Sequence, residues 1–299
     1  MSFHVGDAIV HQVSTPGLGD HSYVVTVGTK AIVIDPQRDI SRFETLLEGM
    51  TTVGVFETHI HNDYASGGPT LAESHGCEYV LPVGTRATVE HRAIAPGETV
   101  LFGSMTLQAI ATPGHTPHHL AYALFSGDES VAVFTGGSML VGAVGRCDLI
   151  SPDLTDELVR AQYRSVNQLA ADLQDPSLVV PTHGAGSFCS ASAVSDTTST
   201  IKLEKGRNPA LTCPDENTFA AVQLAGYQLY PSYYTYMGPL NAAGAPPMPS
   251  ADRPILSPMQ LAALGTPALI DVRTAEEFAD GHLVGSINVP FSNEVATYV

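Results

Sequence analysis

Two histidines separated by a single residue follow the apolar run at residues 53–56. They are His59 and His61, and the next side chains able to donate or accept a proton are Asp63 and Tyr64. In an extended backbone, side chains two residues apart project to the same side, so both imidazoles could converge on one ion. Imidazole binds zinc, iron, copper and nickel, so the pair predicts a metal site without choosing the metal. A pair of surface histidines is the alternative.

Three later segments share one form, an apolar strand-like run that ends in glycine, proline or histidine. They are residues 111–117 with His115, residues 133–138 with Gly137, and residues 180–186 with His183. Loops at strand ends are frequent locations for binding and catalytic side chains. The recurrence therefore favours one shared site over isolated surface histidines.

Taken together, these segments resemble the metallo-β-lactamase superfamily. The matching motifs are His59-Ile60-His61-Asn62-Asp63, Gly114-His115-Thr116-Pro117, Phe134-Thr135-Gly136 and Pro181-Thr182-His183. Within the superfamily, the chain most resembles the persulfide dioxygenase branch, which includes fusions to rhodanese domains. The resemblance implies an α+β fold, an αββα sandwich of two sheets covered by helices, with the site on strand-end loops along one edge.

The chain departs from the family pattern at two positions. The loop motif of the family ends in histidine where Tyr64 stands here, and its Phe-Thr-Gly-Asp motif supplies a metal-binding aspartate where Gly137 stands. Two-zinc hydrolases of the superfamily use both residues, so a dinuclear hydrolytic site is not expected. The persulfide dioxygenases that the chain resembles hold one Fe(II) through two histidines and that aspartate. Residue by residue, this leaves His59, His115 and no carboxylate.

We therefore predict a facial set of three histidines, His59, His61 and His115, around Fe(II), with zinc as the alternative ion. Open positions on a redox-active iron are what an oxygenase needs. Asp63 is expected either to bind the metal or to orient a histidine or water. Tyr64 is expected either to donate a hydrogen bond to bound oxygen or to fill the space of the missing histidine.

Further residues near the site follow from the same resemblance. His183, paired with Asp63, is expected to be the remnant of the second metal site and to contribute to catalysis. Arg146 matches a family segment near the site and could bind a substrate carboxylate bidentately. A structural salt bridge to Asp148 is the alternative for Arg146. Cys189 follows His183 by six residues and is expected to be a structural buried thiol.

Charge and composition limit the classes of partner. Thirteen Lys and Arg residues stand against thirty Asp and Glu residues, and the resulting net charge of -17 repels phosphate backbones and anionic membrane surfaces. We expect no nucleic acid and no membrane as partners. An anionic substrate would need a local cationic patch. The start of the chain lacks a basic region followed by an apolar one, so a cytoplasmic location is expected.

The elements that must position these residues alternate between strands and helices. Residues 8–13, 22–27 and 31–34 are β-branched runs separated by turn residues, which predicts antiparallel strands. A capping box from Ser41 predicts a short helix, and Ser151-Pro152 predicts the start of a longer one. This order is expected of two sheets packed face to face with helices outside.

Three regions are expected along the chain. Residues 1–205 form a metallo-β-lactamase-like domain, residues 206–252 a helical extension with a Pro- and Ala-rich linker, and residues 253–299 a partial rhodanese-like domain. Residues 268–290 resemble the opening of a rhodanese domain. The chain ends before the loop in which a rhodanese carries its persulfide-forming cysteine, so we expect a truncated rhodanese segment without sulfurtransferase activity.

Three functions stay open. The first is a mononuclear non-haem iron persulfide dioxygenase that acts on glutathione persulfide or a related low-molecular-weight persulfide in sulfur metabolism. The second is a catalytically silent homologue that binds a sulfur carrier or a partner, and the third is a zinc-dependent thioester hydrolase of the glyoxalase II kind. The expected partner is accordingly a small-molecule persulfide or a glutathione thioester. A homodimer stays open as the assembly.

Overall fold

The computed structural model describes residues 1–190, 195–249, 254–265 and 267–292. The chain divides into two compact units, Met1–Pro247 and Met248–Val299. Among the described residues, no helix combines the length and the apolar character that a membrane span requires.

In the described part of the first unit, one sheet has seven strands that lie side by side in chain order. They are β1 (Ser2–Val5), β2 (Ala8–Thr15), β3 (Asp20–Val27), β4 (Lys30–Ile34), β5 (Thr51–Phe56), β6 (Glu78–Pro82) and β7 (Arg92–Ile94). Strands β1 to β4 pair antiparallel, and β4 to β7 pair parallel. The parallel part places the ends of β4 and β5 at one edge of the sheet.

The other strands of the first unit form a second sheet and a short ribbon. They are β8 (Thr99–Phe102), β9 (Met105–Ala111), β10 (Leu120–Ser126), β11 (Glu129–Gly136), β12 (Met139–Leu140), β13 (Ala143–Val144), β14 (Leu178–Pro181) and β15 (Ser199–Thr200). The sheet has the order β15-β14-β11-β10-β9-β8, and β12 with β13 makes the ribbon. Strands β11 and β14 are parallel, so their ends meet at one edge as well.

The apolar core between the sheets follows from alternation along the strands. On β3, Tyr23 and Val25 join the cluster between the sheets, whereas Val24 joins the cluster beneath the outer helices. Phe56 of β5 meets Tyr122 of β10 edge to face across this core, with ring centroids 5.5 Å apart. Burying a side chain of this size stabilises the fold by about 1.5–3 kcal/mol. Because helices cover the outer face too, β3 is buried along its whole length.

Helices lie outside both sheets. They are α1 (Ser41–Leu47), α2 (Gly68–His75), α3 (Thr155–Asp172), α4 (Ile201–Arg207), α5 (Pro209–Thr212), α6 (Glu216–Gly226) and α7 (Tyr234–Ala243). The predicted αββα sandwich is thereby confirmed. Phe219 of α6 is buried in the same cluster as Leu169 of α3, so the helices that follow β15 belong to the body of the first unit.

The two predicted helix starts have different outcomes. Ser151 caps a 3-10 turn, Pro152–Leu154, that leads into α3, as the Ser-Pro pair predicts. The prediction of a capping box at Ser41 is wrong, because Ile40 already has helical backbone angles and no side-chain hydrogen bond caps the helix there. The carboxylate of Glu44 instead lies 2.9 Å from His75 Nε2 of α2 and ties the two helices together.

The second unit contains α8 (Pro258–Ala263), β16 (Ile270–Asp271), α9 (Ala275–Asp280) and β17 (Ile287–Asn288) in its described part. Strands β16 and β17 pair in parallel. Both helices begin with a complete capping box, formed by Ser257 with Gln260 and by Thr274 with Glu277.

Candidate metal centre

Three loops at strand ends bring five buried histidines together at one edge of the sandwich. His59 and His61 follow β5, His115 and His119 lie between β9 and β10, and His183 follows β14. The ring of His59 is central: its centroid lies 4.1 Å from His61, 4.7 Å from His115 and 5.5 Å from His183. The predicted convergence of these loops on one site is present in the fold.

Three of these imidazoles, those of His59, His115 and His183, could hold one ion. Each offers one ring nitrogen, and the three nitrogens lie within 4.8 Å of one another. The Nε2 atoms of His59 and His183 are buried and make no hydrogen bond among the described residues. Because buried polar atoms are nearly always satisfied, such orphaned nitrogens fit a bound metal ion.

Hydrogen bonds at Nδ1 fix how two of these rings point. The Thr58 hydroxyl donates to Asp35 Oδ2 at 2.8 Å, so it accepts from His59 Nδ1–H at 2.9 Å. His115 Nδ1–H donates to the Arg146 carbonyl at 2.6 Å, and its own backbone N–H donates to Gln162 Oε1 of α3 at 2.7 Å. The proton on Nδ1 leaves the Nε2 lone pair of both rings free for a metal.

His183 is oriented by two carboxylates. Its Nδ1 lies 2.9 Å from Asp20 Oδ1 and 3.0 Å from Asp63 Oδ2. Burial alone would lower the pKa of His183, but Asp63 and Asp20 raise it to about 9. Burial lowers the pKa of His59 far below its usual range and that of His115 to about 3. A metal at this centre would meet two neutral imidazoles and would displace the Nε2 proton of the third.

His61 points away from this group. Its Nε2 lies 3.1 Å from Asp35 Oδ1 and 3.1 Å from Glu57 Oε2, all of them buried. Burial alone would lower the pKa of His61, but these carboxylates raise it well above its usual range. The predicted set of His59, His61 and His115 does not occur as one nitrogen group among the described residues, because this ion pair turns the His61 ring away.

Two groups of known proteins match this chain in sequence. The human protein "Persulfide dioxygenase ETHE1, mitochondrial" is 30% identical over 189 residues, which cover 61% of this chain and 67% of the human protein. A hydroxyacylglutathione hydrolase of Rhizobium johnstonii is 35% identical over 104 residues, which cover 30% of this chain and 41% of that protein. A model of the rhodanese-like domain matches residues 259–298.

Solved structures agree with the sequence matches. A metallo-β-lactamase from Staphylococcus aureus superposes with a TM-score of 0.86 at 25% identity, covering 98% of this chain and 89% of that one. ETHE1 from Myxococcus xanthus superposes with a TM-score of 0.66 at 25% identity, covering 78% of this chain and 98% of that one. The chain belongs to the persulfide dioxygenase branch of the metallo-β-lactamase superfamily. It carries a rhodanese-like segment after the sandwich.

Membership of this family and the cluster of histidine nitrogens together indicate that the protein binds a metal cofactor. The expected departures from the family pattern lie beside this cluster. A Cβ atom at Gly137 would fall 2.2 Å from His115 Cδ2, so the His115 ring occupies the space of a side chain there. The ring of Tyr64 stacks on His61 with centroids 4.4 Å apart, and its hydroxyl donates to the Asp35 carbonyl at 3.2 Å.

Arg146 lies beside the cluster, and its guanidinium is already hydrogen-bonded to other groups of the protein. Its guanidinium donates to Asp148 at 2.7 and 2.8 Å, to the Phe188 carbonyl at 3.2 Å and to the Gln228 carbonyl at 2.8 Å. The salt bridge to Asp148, the alternative given above, is therefore present. Since the Arg146 carbonyl accepts from His115, this residue links the His115 ring to the loop after β14. Its role in substrate binding stays a prediction.

Sequence reasoning missed three buried carboxylates at the site, Asp20, Asp35 and Glu57. Each stands at the end of an apolar strand, and that position was the available signal. The thiol of Cys189 was expected to be buried, and it is. It lies 3.5 Å from Asp63 Oδ2, and burial raises its pKa well above the usual range, so it is a protonated thiol.

Asn241 of α7 fastens the loop that carries His61. Its Nδ2 donates to the carbonyls of His61 and Tyr64, both at 2.8 Å, and its Oδ1 accepts from the Ser66 N–H at 2.8 Å. A buried asparagine with three such bonds replaces the regular backbone pairing that a loop lacks. The extension after the sandwich therefore supports the site directly.

A cavity of about 710 Å³ opens beside the cluster. Asn62 and Thr116, the residues after His61 and His115, line it together with Arg86, His118 and apolar side chains. The lining residues of the described chain include no Asp or Glu. This volume lies in the range of small-molecule sites, and Arg86 gives the cavity a positive charge in a strongly acidic protein.

Proposed function

We propose that the protein is a mononuclear non-haem iron persulfide dioxygenase that oxidises glutathione persulfide or a related low-molecular-weight persulfide. The reaction converts R-S-SH, O₂ and water into R-SH and sulfite with two protons. The sulfur atoms together lose four electrons, and these reduce O₂. The observation that carries the proposal is the group of buried imidazoles with free Nε2 atoms in a chain of this family.

His59 and His115 would hold the ion, because their Nε2 atoms are free and their Nδ1 protons are fixed by Thr58 and Arg146. When bound, Fe(II) would supply a redox-active centre with open positions for sulfur and O₂. The chain contributes the orientation of the rings and the exclusion of bulk water, since all of these imidazoles are buried. Neutral imidazole ligands leave the positive charge of the ion intact, which favours an anionic persulfide.

The cavity beside the cluster supports a substrate with an apolar body and a negative charge. Ile150 and Pro117 line it, and Arg86 supplies a guanidinium suited to a carboxylate. A persulfide that places its terminal sulfur near His115 would extend past Thr116 into this space. Glutathione persulfide carries two carboxylates and so supplies the negative charge.

Oxygen uptake tests the proposal. The protein is reconstituted anaerobically with Fe(II), bound iron is counted, and O₂ consumption and sulfite formation are followed after glutathione persulfide is added. We expect about one iron per chain, with O₂ and sulfite in equal amounts. Bound iron without O₂ uptake would contradict the proposed reaction. Cleavage of a glutathione thioester by the zinc-loaded protein would support the hydrolase instead.

A catalytically silent homologue is the second candidate, and Gly137 favours it. The persulfide dioxygenase pattern stated above has a metal-binding aspartate at this position, and here the His115 ring fills that space. Failure to bind Fe(II) or Zn(II) would select this candidate. The cytoplasmic location remains part of our proposal, while the human relative is described as mitochondrial.

A further inference from the structure

We propose that the third protein ligand of the metal centre is His183, and that His61, whose Nε2 lies 3.1 Å from both Asp35 Oδ1 and Glu57 Oε2, is not a ligand. The inference rests on the proposed function only in that a metal binds. It does not depend on which reaction follows. It replaces the three-histidine set that spacing alone predicts.

The position of His183 is fixed by the sheet and by its own ring. The Thr182 N–H donates to the Gly136 carbonyl at 3.1 Å, and the Thr182 carbonyl accepts from the His21 N–H at 2.7 Å, so the backbone just before His183 is held on both sides. With Nδ1 placed between Asp20 and Asp63, the nitrogen left for a metal is Nε2. That atom is buried and, like both ring nitrogens of His61, makes no hydrogen bond among the described residues, so it is the position of Nδ1 that distinguishes His183. A histidine held by a carboxylate at one nitrogen and bound to metal at the other is a common arrangement.

His61 has a competing set of partners. Asp35 is itself anchored by the Thr58 N–H at 2.7 Å and the Thr58 hydroxyl at 2.8 Å, so it cannot follow a moving imidazole. Turning the His61 ring toward His115 would leave the buried carboxyl groups of Asp35 and Glu57 without the imidazole that lies 3.1 Å from each. Leaving buried polar groups without a partner is costly, so the ring is expected to stay where it is.

Another group of three ligand atoms in the described chain combines His61 with Asp63 and His183. This group is a poor metal site because Asp63 lies beside Nδ1 of both histidines. A proton on His183 Nδ1 bridges Asp20 and Asp63, and a metal could not share that nitrogen. Asp63 is therefore better explained as the residue that orients His183 than as a ligand.

Metal affinity tests the assignment without any turnover. Co(II) and Zn(II) dissociation constants are measured for the full chain and for His59→Gln, His115→Gln, His183→Gln and His61→Gln, with the exposed His4→Gln as the control for loss of a histidine. We expect the first three variants to lose at least about tenfold in affinity. His4→Gln should retain affinity within about threefold, and His61→Gln, measured on protein shown to be folded by circular dichroism, should lie closer to His4→Gln than to the three ligand variants.

Loss of affinity in His61→Gln together with full affinity in His183→Gln would overturn the proposal. Because His183→Gln leaves two buried carboxylates and could unfold, a measurement on the unaltered protein is needed as well. In ¹⁵N NMR spectra of the zinc-loaded protein, we expect metal-bound Nε2 shifts for three histidines and none for His61. A metal-bound shift on His61 would refute the assignment. Metal binding as proposed without O₂ uptake would refute only the dioxygenase function.

Discussion

The imidazole of His115 lies against the α-carbon of Gly137, so closely that a Cβ atom on Gly137 would be 2.2 Å from His115 Cδ2 and 2.6 Å from its Nε2. The ring cannot easily move away, because its Nδ1 donates to the Arg146 carbonyl at 2.6 Å. The absence of a side chain at Gly137 therefore allows the His115 ring to take this position. Glycine here removes the family aspartate and also makes room for the imidazole.

Restoring the family aspartate should weaken the centre. In Gly137→Asp, the new Cβ displaces the His115 ring, and we expect metal affinity to fall by about tenfold or more. Gly137→Ala separates the clash from the charge and should show a similar loss. Competition with a metal-sensitive dye measures both. Tighter binding in Gly137→Asp than in the unaltered protein would contradict this account.

Removing the carboxylate behind His183 should also weaken metal binding. In Asp20→Asn, the carboxyl group beside His183 Nδ1 becomes an amide, so the imidazole is less well oriented toward the metal. Replacing such partners typically costs about 10- to 100-fold in affinity. Asp7→Asn, on the surface and bonded only by Ser104 at 2.9 Å in the described chain, is the matched control. Equal affinities in the two variants would refute the role of Asp20.

The pH dependence of stability should report the ion pair at Asp35. Burial alone would raise the pKa of Asp35, but His61 and the hydrogen bonds from Thr182 and Thr58 lower it to about 2. A carboxyl group with a lowered folded-state pKa stabilises the fold above its unfolded pKa and loses that contribution as pH falls through the folded value. In the metal-free protein, Asp35→Asn should therefore cost about 2 kcal/mol above about pH 4, and the cost should shrink toward pH 2.

Glu57→Gln is the matched comparison, because the shift has the opposite sign. Burial raises the pKa of Glu57 to about 7, beyond what its hydrogen bonds with His61 and Ser66 offset. The contribution of Glu57 to the free energy of unfolding is then present at acid pH. It is lost as pH rises from the pKa of the unfolded state toward the folded-state pKa of about 7. Urea denaturation across pH measures both variants. Parallel slopes for Asp35→Asn and Glu57→Gln would contradict the assignment.

Arg86 should select for an anionic substrate. In Arg86→Gln, we expect kcat/KM for glutathione persulfide to fall roughly tenfold, since a hydrogen bond to a charged group contributes about 1.5–3 kcal/mol. The effect should lie in KM, and Arg86→Lys should recover part of it. A persulfide without a carboxylate should respond little to either change. A fall in kcat alone would show that Arg86 does not act through substrate binding.

Asn241 should stabilise the loop that carries the site. Asn241→Ala removes the partners of three buried main-chain groups, and each unsatisfied group costs about 1–3 kcal/mol. We expect a clear fall in Tm and weaker metal binding. Asn217→Ala, at an exposed asparagine of α6 bonded to Arg160 at 2.7 Å, should change neither. A lower Tm with unchanged metal affinity would show that the loop keeps its shape without Asn241.

Local pattern was enough to predict the sandwich, the four strand ends and the presence of His59, His115 and His183 at one site. It did not predict the orientation of the His61 ring, because period-two alternation holds only within a strand. Strand β5 ends at Phe56, so His59 and His61 lie in a turning loop whose side chains need not share one side. The partner that decides the orientation, Asp35, comes from β4, and single-sequence patterns carry no information on such a contact.

The bonds from Asn241 to the carbonyls of His61 and Tyr64 join residues 180 and 177 positions apart in the chain. During synthesis, the loop that carries His61 and Tyr64 is made long before Asn241, since chains are made from the amino end at about 5–20 residues per second. The loop thus has its histidines for many seconds before it has its final shape. The loop around His61 can therefore reach its final conformation only after α7 has been made.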